Sequence, residues 1–313
     1  MADLTGSRPL PAPRGRRPGP RPAAPPGLPP GTRLTVRSTG GARLHVETHG
    51  REDAPTVVLA HGWTCDTTLW HPVLRLLLPG HRVVLYDQRG HGRSPATPGN
   101  CSPEALADDL CAVLGATLPP GGRAVVAGHS MGAMTVVAAA ERPALRAHAA
   151  AVLLCSTGIE QLTGLATVFP LREGAARRLA QRLLLTARLP LGPVTPLSRR
   201  LLRHVALGPA ATRAQCERVA RIVSGCAPAP RAEWGRVLAR LDLARLLPGL
   251  GVPAAVLQGT ADRLTPPVHA RRIAARLPHL HGLTELPGIG HMTPVEAPGE
   301  VAGALSALAR AYL

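Results

Sequence analysis

Residues 123–141 read Arg-Ala-Val-Val-Ala-Gly-His-Ser-Met-Gly-Ala-Met-Thr-Val-Val-Ala-Ala-Ala-Glu. Residues 124–127 are an apolar run of the length of a buried strand, and residues 131–140 have the composition of a helix packed on both sides. Between them, Gly128-His129-Ser130-Met131-Gly132 must turn the chain from strand to helix within a few residues. So sharp a turn strains the backbone of its central residue and needs glycine on both sides, where a Cβ would strike the neighbouring strand and helix. It also lifts the Ser130 hydroxyl to the carboxyl edge of a sheet, beside the free N–H groups of a helix N-terminus. The strand before and the helix after favour a nucleophile over an ordinary turn serine.

Strands are expected at residues 33–37, 42–47, 56–60 and 82–86, before this turn. Gly40-Gly41 joins the first two in a hairpin. After the elbow, strands are expected at 151–156, 254–258 and 283–286. Helices alternate with them: near 69–78, from Ser102-Pro103-Glu104 with an N-cap and a proline at N1, at 232–247, at 267–277, and at the end with Val301, Leu305, Leu308 and Tyr312 on one face. This alternation predicts an α/β fold with a doubly wound, mostly parallel sheet of eight strands. Residues 158–230 break the alternation with several Arg-bearing helices and are expected to form a mobile helical cap, leaving 32–157 and 231–313 as the core. In the cap, Leu179, Leu183 and Leu184 are expected to face the site and Arg178 and Arg182 the solvent. Likewise Cys216, Val219, Ala220 and Val223 oppose Arg218 and Arg221. Residues 1–31, rich in Pro and Arg, read as a disordered tail.

The net charge of +17 invites a nucleic-acid partner. Yet all 36 basic residues are Arg, and +12 of the charge lies in the tail and the cap, which leaves an ordinary solvated core surface. No nucleic-acid partner is therefore expected, and the absence of Lys excludes Schiff-base chemistry. With 2% aromatic residues, a pocket has to be lined by Leu, Val, Ala and Met. The six cysteines show no metal-ligand spacing and read mostly as small buried apolar residues. No run approaches the ~18 apolar residues of a membrane span, and Arg16-Arg17 is followed by no hydrophobic region. A soluble, cytoplasmic protein without cofactor, metal or stable membrane association is expected, acting on a small-molecule acyl substrate.

Groups gather at the carboxyl ends of strands in such sheets. Gly259-Thr260-Ala261-Asp262 follows the 254–258 strand and Gly288-Ile289-Gly290-His291 the last one, so both reach the edge where Ser130 sits. A serine hydroxyl needs a base, and the base needs an acceptor to fix its tautomer; His291 and Asp262 suit these roles. Asp262 also reads as an Asx turn before Thr265-Pro266-Pro267, and Glu160 is the other candidate acid. The backbone N–H groups of Met131 and Trp63 are the candidate oxyanion donors.

From about residue 32 onward the chain resembles the α/β-hydrolase superfamily, in its capped serine esterase and lipase-like branch and, more narrowly, hydrolases of actinobacteria. The likeness lies in His61-Gly62-Trp63, Asp87-Gln88-Arg89-Gly90-His91-Gly92-Arg93-Ser94, Gly128-His129-Ser130-Met131-Gly132, Gly259-Thr260-Ala261-Asp262 and Gly290-His291. It implies the fold, the triad and hydrolysis of a small carboxylic ester through an acyl-enzyme, with a structural role for the 87–94 turn. Related perhydrolases, thioesterases, lactonases and carbon–carbon bond hydrolases share the triad, and a non-catalytic binding module shares the fold. Trp63, in place of a glycine-rich oxyanion loop, disfavours bulky tertiary-alcohol esters. Epoxide hydrolases and haloalkane dehalogenases place Asp where this chain has Ser130.

Overall fold

Eight strands form one sheet: β1 (Thr32–Arg37), β2 (Arg43–His49), β3 (Thr56–Ala60), β4 (Arg82–Tyr86), β5 (Ala124–His129), β6 (Ala149–Cys155), β7 (Ala254–Gly259) and β8 (Leu280–Leu286). Their order is β1-β2-β4-β3-β5-β6-β7-β8. Strand β2 runs antiparallel to both β1 and β4, and every other neighbour pair is parallel. The computed structural model describes residue 28, residues 31–192 and residues 194–313. The tail expected at 1–31 therefore lies outside the described residues apart from Leu28 and Gly31.

Every residue of β3, β5 and β6 is buried, which explains why these strands read as continuous apolar runs. Side chains alternate between two covered faces. Val58, Val84, Val126 and Leu154 join one core with Leu106 and Leu110 of α2 (Pro103–Thr117) and Met134 of α3 (Met131–Ala138). Val57, Val83, Val125 and Leu153 are buried on the opposite face, where α12 (Pro298–Tyr312) packs beside α1 (His71–Leu77). Two shorter helices, α4 (Pro143–His148) and α10 (Pro267–Ala274), lead into β6 and β8. The Ser102 hydroxyl accepts from Ala105 N at 3.1 Å, giving α2 the expected cap.

The 87–94 turn is built as a support. Asp87 accepts from the backbone N–H groups of Thr67 and Arg93, both at 2.8 Å. Arg89, fully buried, makes a two-point ion pair with Asp109 at 2.7 and 2.6 Å.

Between β6 and the return to the sheet lie α5 (Leu162–Leu165), α6 (Ala175–Thr186), α7 (Pro196–Ala206) and α8 (Arg213–Ser224). Capping boxes start α7 at Thr195 and α8 at Thr212. The helix expected at 232–247 begins earlier, as α9 (Pro228–Leu238), and a 3-10 turn at Ala244–Gly249 follows it. The proline at N1 starts α9, and Asp242 accepts from Ala244 N at 3.0 Å in a local turn that ends the run. The orientation expected for α6 is corrected as well: Leu179 and Leu183 are 58% and 60% exposed, and Gln181 is the buried residue. Helix α9 lies so close to α6 that a Cβ on Gly235 would sit 1.8 Å from the Leu185 carbonyl oxygen. That approach turns Gln181, Leu184 and Leu185 inward. On α8 Val219 and Ala220 of the expected face are buried and Arg221 is exposed, but Cys216 and Val223 are only half-buried, as is Arg218, and Ile222 joins the buried side instead.

Candidate active site

Ser130 links β5 directly to α3 with φ 53° and ψ −118°, a region that L residues rarely occupy. The neighbours dictate this conformation. A Cβ on Gly128 would lie 2.2 Å from Ala133 N, and one on Gly132 would lie 2.1 Å from the Ala60 carbonyl oxygen. Ser130 N donates to Cys155 O at 2.9 Å, and Ser130 O accepts from Ala133 N, Met134 N and Thr157 Oγ1 at 2.9, 3.1 and 3.0 Å. The register pairs Ala60 with Gly128 and His129 with Cys155, so the loop after β3 and the end of β6 flank the serine.

The loops after β7 and β8 bring Asp262 and His291 together. His291 Nδ1 donates to Asp262 Oδ2 at 2.8 Å, with both side chains buried. Asp262 also accepts from Leu264 N and Thr265 N at 2.9 Å, from Thr265 Oγ1 at 2.8 Å and from Gln258 Nε2 at 3.1 Å. Burial pushes its pKa up, but the charge of His291 and the hydrogen bonds from His291 and Thr265 outweigh it, so the net shift is downward and the group stays a carboxylate. The Asx turn and the acid partner of His291 are thus one structure. Glu160 is elsewhere, paired with Arg276 at 2.7 Å.

His129 Nε2 donates to the His291 carbonyl oxygen at 2.8 Å, and burial lowers the His129 pKa to about 3, so this ring is a neutral prop. Met131 is the first residue of α3, where N–H groups lack an intrahelical acceptor. Trp63 lies in the loop after β3, and its indole Nε1 donates to Arg231 O at 2.9 Å. The side chain is therefore a tie to α9 and leaves the backbone N–H as a separate group.

Sequence reasoning missed Glu296, on α11 (Thr293–Glu296). Its Oε2 accepts from Gly208 N at 2.6 Å and Gly290 N at 3.1 Å, and its Oε1 from Met292 N at 3.1 Å. It clasps the residues on either side of His291 and joins them to the turn after α7. His291 N donates to Ala206 O at 3.0 Å, and Gln215 Nε2 to Val295 O at 3.1 Å, so this end of the cap is fastened to the histidine loop. The only sequence signal was an acid five residues after the histidine.

Ser130, His291, Trp63 and Met134 line a cavity of about 400 Å³ that continues under α6, α7 and α8, where Leu184, Leu202 and Val223 face it. That is room for a small ligand with an apolar body. Among the described residues, no three His, Cys, Asp or Glu side chains converge to hold a metal, and no helix is long and apolar enough to cross a membrane. The six cysteines are free thiols, with Cys65, Cys155 and Cys226 buried and Cys101, Cys111 and Cys216 half-buried.

A model of the Alpha/beta hydrolase family matches residues 57–304. The pimeloyl-[acyl-carrier protein] methyl ester esterase of Xanthomonas oryzae is 30% identical over 258 residues, 79% of this chain and 91% of that protein. The 3-oxoadipate enol-lactonase 1 of Acinetobacter baylyi is 32% identical over 104 residues, 33% of this chain and 38% of that one. Identity of 40 to 41% is confined to stretches that span only 34% and 18% of the lengths of the curated relatives concerned. Among solved structures, a thermophilic esterase from Thermogutta terrifontis superposes with a TM-score of 0.73 at 26% identity, covering 90% of this chain and 99% of that one.

Proposed function

Because the chain belongs to the alpha/beta hydrolase family, we propose that it is a serine hydrolase that cleaves small carboxylic esters through an acyl-enzyme on Ser130. The observation that carries this reading is the strained Ser130 elbow opening on the same cavity as the His291–Asp262 pair. His291 Nε2 takes the hydroxyl proton as Ser130 Oγ attacks the ester carbon. The oxyanion so formed accepts from the backbone N–H groups of Met131 and Trp63. Asp262 fixes the tautomer of His291 and stabilises the imidazolium. Collapse breaks the bond to the alcohol oxygen, which leaves with the proton from His291. Water then gives its proton to His291 and attacks the acyl carbon. Ser130 Oγ regains the proton, and the carboxylic acid leaves.

The relatives named as a methyl ester esterase and an enol-lactonase support open or cyclic esters as substrates. The apolar cavity suits an acyl chain, and the cap selects it without supplying catalytic groups. The test is fluorophosphonate labelling followed by a panel of esters, thioesters and lactones. Ser130→Ala is expected to lose labelling and to lower kcat by at least ~10⁴-fold with the fold intact. A variant that keeps a tenth of the turnover would refute the serine mechanism.

A further inference from the structure

Among the described residues two arginines are almost wholly enclosed, Arg89 at 0% and Arg231 at 2% exposure. Arg89 has its counter-charge in Asp109. Arg231 has none: no Asp or Glu among the described residues lies within ion-pair distance of it. Its Nη2 donates to Ala187 O at 3.0 Å and to Leu189 O, which ties α9 to the end of α6. Its Nη1 is buried and has no hydrogen-bond partner. A guanidinium cannot escape this cost by losing its proton, as a buried Lys can, so it remains a cation enclosed without an anion. Arg231 also lines the cavity on which Ser130 and His291 open, and is the one Arg, Asp or Glu among the described lining residues.

We infer that Arg231 is the recognition site for a carboxylate carried by the substrate, so that the preferred ester is a half-ester of a dicarboxylic acid or a similar acid-bearing ester. This deepens the esterase reading and rests on it. The substrate's own carboxylate supplies the counter-charge that the guanidinium lacks, while its apolar chain lies along Leu184, Leu202 and Val223 with the ester carbonyl at Ser130. The arginine excess of the cap, eleven Arg against three Glu in residues 158–230, adds a long-range pull on such an anion.

The experiment compares the monomethyl esters of linear C4 to C10 dicarboxylic acids, each against the methyl ester of its ω-amide, on the full chain. At the best chain length the wild type is expected to favour the acid over the amide by at least about tenfold in kcat/KM, the size of one charged hydrogen bond in an enclosed site. In Arg231→Gln, checked for an unchanged Tm, that ratio should collapse toward one. Equal turnover of acid and amide by the wild type at every length overturns the inference while leaving the esterase reading intact. This arm needs no variant, so a poorly folding Arg231→Gln does not remove the test. If neither these series nor any ester of the wider panel is hydrolysed, the esterase reading fails. The site is then read by the Tm of the wild type with suberate against suberamide: a rise with suberate alone supports it, and no difference overturns it.

Discussion

In the elbow, every residue from 124 to 137 is buried, and at Gly128 and Gly132 the backbone leaves no room for a Cβ. In the cap, α6 exposes Leu179 and Leu183 and buries Gln181. Where both sides of an element are covered, apolar character follows from burial and the pattern can be read directly. Where one side borders a ligand cavity and the other solvent, apolar residues occur on both, and the pattern no longer tells inside from outside.

The strongest test of this contrast compares glycines. Gly132→Val would force a side chain against the Ala60 carbonyl from 2.1 Å, whereas a Cβ on Gly164 of α5 meets nothing within 4 Å. The first variant is expected to yield no folded protein, or to lose more than ~4 kcal/mol in denaturant titration. Gly164→Ala should stay within ~0.5 kcal/mol of the wild type. Equal tolerance at both positions would end the distinction.

The next test separates the two acids. Asp262→Asn should lower kcat by about 10³- to 10⁴-fold, because His291 would lose the acceptor that orients it. Glu160→Gln breaks only a partly exposed pair with Arg276 and should change kcat by less than about twofold. Steady-state kinetics on one ester decide it, and the reverse order of damage would move the acid to the end of β6.

Glu296 tests the seam between core and cap. Glu296→Gln puts an NH₂ group against backbone N–H donors, a mismatch of about 1 to 3 kcal/mol. Since those donors flank His291, kcat is expected to fall about tenfold while KM for a small ester moves less than about threefold. An unchanged kcat with a lowered Tm would reduce Glu296 to a structural clasp.

These cases also mark what the sequence could reveal. The sheet, the elbow and the Asp262–His291 pair were legible because each rests on a local rule: strand length, a glycine that close approach demands, or a polar residue just past a strand end. Arg231 was not legible, as one of 36 arginines whose burial depends on α9 approaching α6 at Gly235. Glu296 was hidden for a similar reason, because its partners are backbone amides brought together only by the folded chain. The outward turn of Leu179 and Leu183 follows from the same approach of α9 and has no signature in the spacing of α6.

The smallest expected effect tests that outward turn. Leu179→Ser combined with Leu183→Ser replaces two side chains that already meet solvent over more than half their surface, so little apolar area returns to water on unfolding. The double variant should stay within about 0.5 kcal/mol of the wild type and keep its chain-length profile. Leu184→Ser, one position along the same helix, places a hydroxyl in the cavity wall and should raise KM for the longer acyl esters several-fold, with little change for acetate esters. Denaturant titration and a chain-length series on the two variants read both outcomes. A loss of more than ~2 kcal/mol in the double variant would mean that the outer face of α6 is packed in solution, and the contrast between elbow and cap would have to be redrawn.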